Sequence, residues 1–246
     1  MKYNGHKLRH ELKFMINYRD YYLLSARLER FMKRDEHSKD GGYFIRSLYF
    51  DDIFESCYRE KEDGVGRRRK YRIRTYDLSD DIIKFEIKDK FDSYISKTSA
   101  QISPQQCKKM MAGNYEFMLN SDSQTLRMAY VDARTKILKP RVIVDYFREV
   151  FVCDEGNVRI TFDSDLRAGI SSCDIFDPDL PTLPAIDDDK LILEVKYDDF
   201  LPENIRQLLH PLNRWQTSES KFWRCRKVQN VYYRKDIPYE SVITSK

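Results

Sequence analysis

The sequence predicts a mainly β fold of the α+β class, closed as a barrel with helices packed around it. Three observations predict it. Strand-like stretches outnumber helical ones and alternate with period two. Along several of them the charged residues share one face and the apolar residues the other. Charged residues make up 34% of the chain, above the usual quarter, beside 41% hydrophobic residues. A barrel charged on its inside as well as its outside uses such an excess, and 13% aromatic residues exclude a disordered chain.

The elements follow in order. The first strand runs near Leu8 to Ile16, where Arg9, Glu11 and Lys13 alternate with Leu12, Phe14 and Ile16. A helix is expected near Arg19 to Arg34, with Tyr21, Leu24, Leu28 and Phe31 at helical spacing. Asp40-Gly41-Gly42 reads as a turn and Tyr43 to Phe50 as a strand. Gly64 and Gly66 punctuate a loop before Arg67-Arg68-Arg69-Lys70, a run read as a solvated loop rather than a nucleic-acid patch. Tyr71 to Tyr76 is a strand with Arg72 and Arg74 on one face. Ile82 to Lys90 is another, with Lys84, Glu86, Lys88 and Lys90 opposite Ile83, Phe85 and Ile87. Ser103-Pro104 is an N-cap followed by proline at the first helical position; that helix ends near Gly113, and a second starts near Ser123. Arg141 to Cys153 and Asn157 to Phe162 form a hairpin turning at 154–157. Ser171 to Asp189 reads as an exposed loop, Lys190 to Tyr197 as a strand, Glu203 to His210 as a short helix, and the stretch from Ser218 as a basic and aromatic tail. No composition shift divides residues 1–246, which read as one domain, a length common for all-β barrels.

Composition excludes several classes. A net charge of +4, from 44 basic and 40 acidic residues, does not mark a nucleic-acid binder. Cys57, Cys107, Cys153, Cys173 and Cys225 are odd in number and form no Cys-x-x-Cys pair, which fits a reducing compartment. Met1 to Leu12 holds no apolar run, and no apolar stretch is long enough to span a bilayer, so the chain reads as soluble and cytoplasmic. His6, His10, His37 and His210 lack paired spacing, Asp187-Asp188-Asp189 reads as a solvated loop, and Trp215 and Trp223 read as packing residues. No glycine-rich loop precedes a helix in the manner of a P-loop.

The informative pattern is the repeated charged face: Glu11 with Lys13, Arg72 with Arg74, Lys84 with Glu86 and Lys88, Glu194 with Lys196. On any one strand it fits a solvated face with cross-strand pairs. Recurring over several strands, it fits a charged lumen, with the apolar faces turned outward against helices. A charged lumen needs a charged occupant. Phosphate chains require several cations, and arginine meets phosphate oxygens with paired hydrogen bonds. The interspersed glutamates fit a divalent cation bridging phosphates.

Glu11-Leu12-Lys13-Phe14, Ser47-Leu48-Tyr49-Phe50-Asp51, Lys70-Tyr71-Arg72-Ile73-Arg74, Phe85-Glu86-Ile87-Lys88 and Leu193-Glu194-Val195-Lys196 occur in that order. Together they resemble the polyphosphate polymerase domain of the vacuolar transporter chaperone (VTC) family, part of the CYTH or triphosphate tunnel superfamily, over roughly Leu8 to Phe222. The resemblance implies an antiparallel β-tunnel holding a triphosphate and one divalent metal, Mn²⁺ or Mg²⁺. It implies that ATP and polyphosphate are the partners, and that the γ-phosphate of ATP passes to the growing chain. Lys13, Arg72, Arg74, Lys88, Arg148 and Arg159 would act on the phosphates, with Lys97, Tyr146, Lys196 and Lys221 as further phosphate-binding residues. Glu194 would hold the metal, with Glu11 and Glu86 as additional candidates. Ser218 stands where the family often has a lysine, which thins the basic track at one end. No segment resembles the membrane part of the eukaryotic complex, so coupled export is not expected. A metal-dependent triphosphatase, favoured by a second well-placed carboxylate, and a non-catalytic sensor are the alternatives.

Overall fold

Eight strands close on themselves, each hydrogen-bonded antiparallel to its neighbours. The computed structural model describes residues 2–3, 6–38, 41–92, 94–209, 216–218 and 220–234. The expectations at Asp40, His210, Trp215 and the His6 side chain lie outside the described residues. A hairpin of β1 (Lys2–Tyr3) and β2 (His6–Lys7) precedes β3 (Arg9–Asn17), α1 (Tyr18–Leu28), β4 (Lys33–Arg34) and β5 (Tyr43–Asp51). Next come α2 (Ser56–Glu62), β6 (Arg67–Tyr76), β7 (Ser79–Phe91), β8 (Tyr94–Ile102), α3 (Pro104–Met111) and α4 (Gln124–Thr135). β9 (Lys139–Cys153), β10 (Val158–Gly169), β11 (Thr182–Pro184), β12 (Lys190–Tyr197), α5 (Glu203–Leu209) and α6 (Lys221–Arg234) follow. Around the barrel the order is β3, β8, β7, β6, β5, β9, β10, β12 and back to β3. The β3–β8 seam is the narrowest, joined by Arg9 with Ile95 and His10 with Tyr94.

The apolar faces point outward, as the alternation predicts. Ile73, Phe85 and Ile87 pack with Cys107 and Met110 of α3 and Leu126, Ala129 and Ala133 of α4. Phe14, Ile16, Leu193 and Ile160 pack with Leu24 and Leu28 of α1 and Ile205 of α5. The third cluster differs. Ile45, Val144 and Ile192 face the interior, and Phe222, Cys225 and Val228 of α6 pack onto them. α6 therefore fills part of the barrel and brings its first turn to the lumen.

Several elements depart from the expectations. α1 starts at Tyr18, capped by the Asn17 side chain on the Asp20 N–H (2.8 Å), and ends at Leu28. It stops early because Lys33 and Arg34 pair with β9 as β4, which leaves Phe31 51% exposed instead of on an apolar helical face. The run Arg67–Lys70 is not a solvated loop. It is the start of β6, and alternation splits it: Arg68 is buried, while Arg69 turns outward to Asp89 and Asp132 (2.7 and 2.9 Å). β8, α2 and α6 were unread, the last being the expected basic tail. The Asp- and Pro-rich stretch after β10 is not simply exposed: Ile175 and Leu180 are buried against the α3–α4 cluster, and Arg46 donates to the Asp177 carbonyl. The Ser103 cap is confirmed, with Gln106 completing a capping box before Pro104.

Phe85→Ala removes a side chain that is 2% exposed and bridges the barrel to α3 and α4. It is expected to lower the unfolding free energy by about 3–5 kcal/mol, read from the urea midpoint at unchanged slope.

Candidate functional site

Because side chains alternate and register is fixed by pairing, one face of every barrel strand projects into the same space. Lys13 lies opposite Glu194, Glu11 opposite Lys196, Arg72 opposite both Tyr49 and Glu86, and Arg148 opposite Asp163. The enclosed cavity has a volume of about 430 Å³ and, among the described residues, is lined by fourteen lysine and arginine side chains against two carboxylates, Glu11 and Glu194. An interior with that charge excess is stable only beside anions.

Twelve of the thirteen expected site residues line this one cavity: Lys13, Arg72, Arg74, Lys88, Arg148, Arg159, Lys97, Tyr146, Lys196, Lys221, Glu11 and Glu194. The thirteenth, Glu86, sits behind it at 1% exposure, accepting from Arg72 Nε (2.6 Å) and Lys97 Nζ (2.7 Å). The guanidinium groups are held by neighbours of their own. Arg72 also donates to Tyr49 OH (2.8 Å), Arg74 to Ser47 Oγ (3.2 Å) and Tyr146 OH (2.7 Å), and Arg148 to both oxygens of Asp163 (2.6 and 2.7 Å). Arg159 pairs with Asp35 at 2.7 Å. Such fixing leaves the cations oriented before any ligand arrives.

Glu194 is the hub. Lys196 and Lys221 lie 3.0 Å from it, Lys13 3.3 Å and Arg148 3.8 Å. Burial alone would raise its carboxyl, but Lys196, Lys221, Lys13 and Arg148 hold it well below the usual carboxylate range. Glu11 is likewise lowered: burial opposes, and Lys13 and Lys88 prevail, Lys88 Nζ lying 2.8 Å away. Lys88 moves the other way. Burial pushes its ammonium down to about 7, against Glu11 and with help from Lys13 and Lys196. Lys70, beside Lys88 across β6–β7, is pushed well down by burial and by Lys13 and Lys88.

A divalent cation fits here in one manner. Among the described residues no three Asp, Glu, His or Cys side chains converge as a ligand set. The lone carboxylate hub suits a hard cation that takes most of its oxygens from phosphate and water, the habit of Mg²⁺ at nucleotide sites. Glu194 is the side chain best placed to hold it, with Glu11 beside it through the shared Lys13 and Lys196.

Sequence reasoning missed Asp163, fully buried between Arg148 and Lys221. The expected strand stopped one residue short of it, though Arg159, Thr161 and Asp163 continue the alternation. It also missed Arg9, Lys61, Arg68, Lys70 and Lys90, and the tyrosines Tyr43, Tyr49 and Tyr76, all of which line the cavity. His10 instead stacks between Tyr94 and Tyr197, and Trp223 stacks on Tyr58, as packing residues do.

The VTC domain family model matches residues 8–230 of the chain. Among curated proteins nothing matches. The fold is shared with a solved structure. A candidate adenylate cyclase from Bacillus halodurans superposes with a TM-score of 0.56 at 14% identity, over 89% of this chain and 98% of that one. A candidate adenylate cyclase from Vibrio parahaemolyticus gives 0.48 at 10% identity, over 87% and 95%. PH1012 from Pyrococcus horikoshii OT3 gives 0.46 at 12% identity, over 87% and 96%. Among the described residues no helix is long and apolar enough to cross a membrane.

The depressed Lys88 has a measurable consequence. In the free protein near pH 8 it is mostly neutral, whereas a bound phosphate favours its ammonium form. Polyanion binding should therefore draw in a proton and weaken as pH rises above about 7. Calorimetric titration of tripolyphosphate in buffers of different ionisation enthalpy measures this. The permanently charged Lys88→Arg variant is expected to take up about one proton fewer than the unmodified protein; equal uptake in both contradicts the assignment.

Proposed function

Because this chain belongs to the VTC domain family, we propose that it is a polyphosphate polymerase, transferring the γ-phosphate of ATP to a polyphosphate chain and releasing ADP. The observation that carries the reading is the cavity itself: fourteen cations from separate elements around a carboxylate hub. Phosphoryl transfer asks little covalent chemistry of a protein; positioning and charge stabilisation dominate.

In this reading the triphosphate lies among Arg72, Arg74, Arg148 and Arg159 and the lysines Lys13, Lys88, Lys97, Lys196 and Lys221. Tyr146, whose hydroxyl holds Arg74, contributes through that contact. The terminal oxygen of the acceptor chain attacks the γ-phosphorus and forms the new P–O bond. The bond from γ-phosphorus to the bridging oxygen breaks, and ADP leaves with its electron pair. The attacking oxygen is already anionic, so no general base is required, and among the described residues no histidine lines the cavity. Mn²⁺ or Mg²⁺ held by Glu194 would neutralise charge shared between phosphate oxygens. The arginines hold the γ-phosphoryl group in line, and enclosure limits competing attack by water.

Incubation with ATP and Mn²⁺ or Mg²⁺ is expected to yield ADP together with long polyphosphate, resolved by gel sizing. Free phosphate without polymer would instead support the hydrolase, and binding without turnover a sensor. Glu194→Gln is expected to abolish metal-dependent turnover while circular dichroism stays native; full activity in that variant refutes the role of Glu194.

The charge excess yields a second expectation, because four cations crowd Glu194. Mn²⁺ alone should bind weakly, and its affinity should rise at least about tenfold, or about 1.4 kcal/mol, when a non-hydrolysable ATP analogue is present. Equal affinity with and without the analogue, measured by Mn²⁺ paramagnetic resonance, contradicts this.

A further inference from the structure

Lys70 rests on a hydroxyl where most lysines of the cavity rest on carboxylates. Lys13, Lys88, Lys97, Lys196 and Lys221 each lie within ion-pair distance of Glu11, Glu86, Glu194 or Asp163. Lys70, on β6, lines the same cavity, yet among the described residues no carboxylate lies within ion-pair distance of it. Lys61 and Lys90 share that lack, but Lys70 adjoins two residues of the triphosphate site at once. Arg72 is two positions along the same inward face, about 7 Å at the usual strand rise, and Lys88 is directly opposite.

The surroundings of Lys70 are those of a nucleophile. Its Nζ donates to Ser220 Oγ (2.6 Å), and the centroid of the buried Phe222 ring lies 5.0 Å from it. Ser220 Oγ also accepts the Trp223 N–H (3.4 Å), which fixes it at the start of α6. Neither neighbour carries a negative charge. Burial, joined by Lys13, Lys88 and Arg68, holds the Lys70 ammonium well below its ordinary range. Cys57 is the group pulling the other way, and burial keeps it a neutral thiol. Lysines that are desolvated or set beside other cations are the nucleophilic ones. A neutral Lys70 gives one N–H to Ser220 and keeps its lone pair for an electrophile.

We propose that Lys70 Nζ takes the γ-phosphoryl group of a first ATP and so gives the polymer a covalent starting point on the protein. This rests on the polymerase reading, which puts ATP in the same cavity. The amine lone pair attacks the γ-phosphorus, and an N–P bond forms. The bond from the γ-phosphorus to the bridging oxygen breaks, and ADP leaves with that electron pair. The nitrogen passes one proton to a phosphate oxygen of ADP, and Lys70 becomes a phosphoramidate. Arg72 and Lys88 flank the new anion. Its terminal oxygens are anionic, as those of a free chain are, so the next γ-phosphoryl group is added by the same attack.

The test incubates the protein with ATP radiolabelled at the γ-phosphate and Mn²⁺, denatures it in alkali, and maps the label by mass spectrometry. Label is expected on the polypeptide at Lys70, stable to alkali and lost in mild acid. Lys70→Arg keeps a cation but offers no neutral amine. It is expected to lower the protein-bound label at least about tenfold, and to slow synthesis from ATP alone by a similar factor relative to synthesis primed with added short polyphosphate. Absence of label from the unsubstituted protein, label that resists acid or maps elsewhere, or undiminished label in Lys70→Arg overturns the inference. The mapping is done on the unsubstituted protein, so it decides the matter even where Lys70→Arg folds poorly. Primed synthesis without label removes only the role of Lys70; no synthesis even with primer removes the polymerase reading and this inference with it.

Discussion

A dense group of like charges held inside a protein is the constraint on which the rest of this structure depends. Among the described residues, fourteen cationic side chains share a cavity of about 430 Å³ with two carboxylates. Water cannot screen such a group as it screens a surface, because the walls are protein. The barrel answers with local pairing: Asp163 beneath Arg148, Glu86 beneath Arg72, Glu11 against Lys88 and Glu194 among four cations. Removing one partner of such a buried pair typically costs about 3–5 kcal/mol. These acids therefore serve the apo protein as scaffolding for the cations, whatever else they do when a ligand enters.

Pairing inside forces the apolar surface outside. With one strand face given to the lumen, hydrophobic burial must come from the opposite face, and that face needs a cover. α1 and α5 cover β3, β10 and β12, while α3 and α4 cover β6 and β7. α6 is the exception, since its apolar side meets inward residues of β5, β9 and β12. That placement sends Lys221, in its first turn, to both Asp163 and Glu194. The helix thus seals one stretch of the lumen with carbon and furnishes another with charge.

This division explains what was legible in the sequence. Alternation on β6, β7 and β12 identified Arg72, Arg74, Lys88, Glu194 and Lys196 as one face because both sides of those strands are buried in a strict period of two. β8 escaped because Lys97 is the one charge between Tyr94 and Ile102, leaving no alternation of charge to read. The Arg67–Lys70 run looked like a solvated loop because four consecutive cations show no period; only the partner strand reveals that Arg68 and Lys70 turn inward while Arg69 turns out. Phe31 fitted a helical spacing, yet pairing of Lys33 and Arg34 with β9 ended the helix first. Local pattern fixes faces; pairing partners fix where elements stop.

Lys61 carries the same lesson into function. Nothing in its own neighbourhood of sequence marks it, since Ser56–Glu62 is short and holds mixed charge. It reaches the tunnel because Asp51, the last residue of β5, accepts the Cys57 and Tyr58 N–H groups at the start of α2, and because 216–218 passes beneath it, with Gln216 bridged to Phe14 on β3. Two segments far apart in sequence, α2 and 216–218, thus address the same point of the lumen.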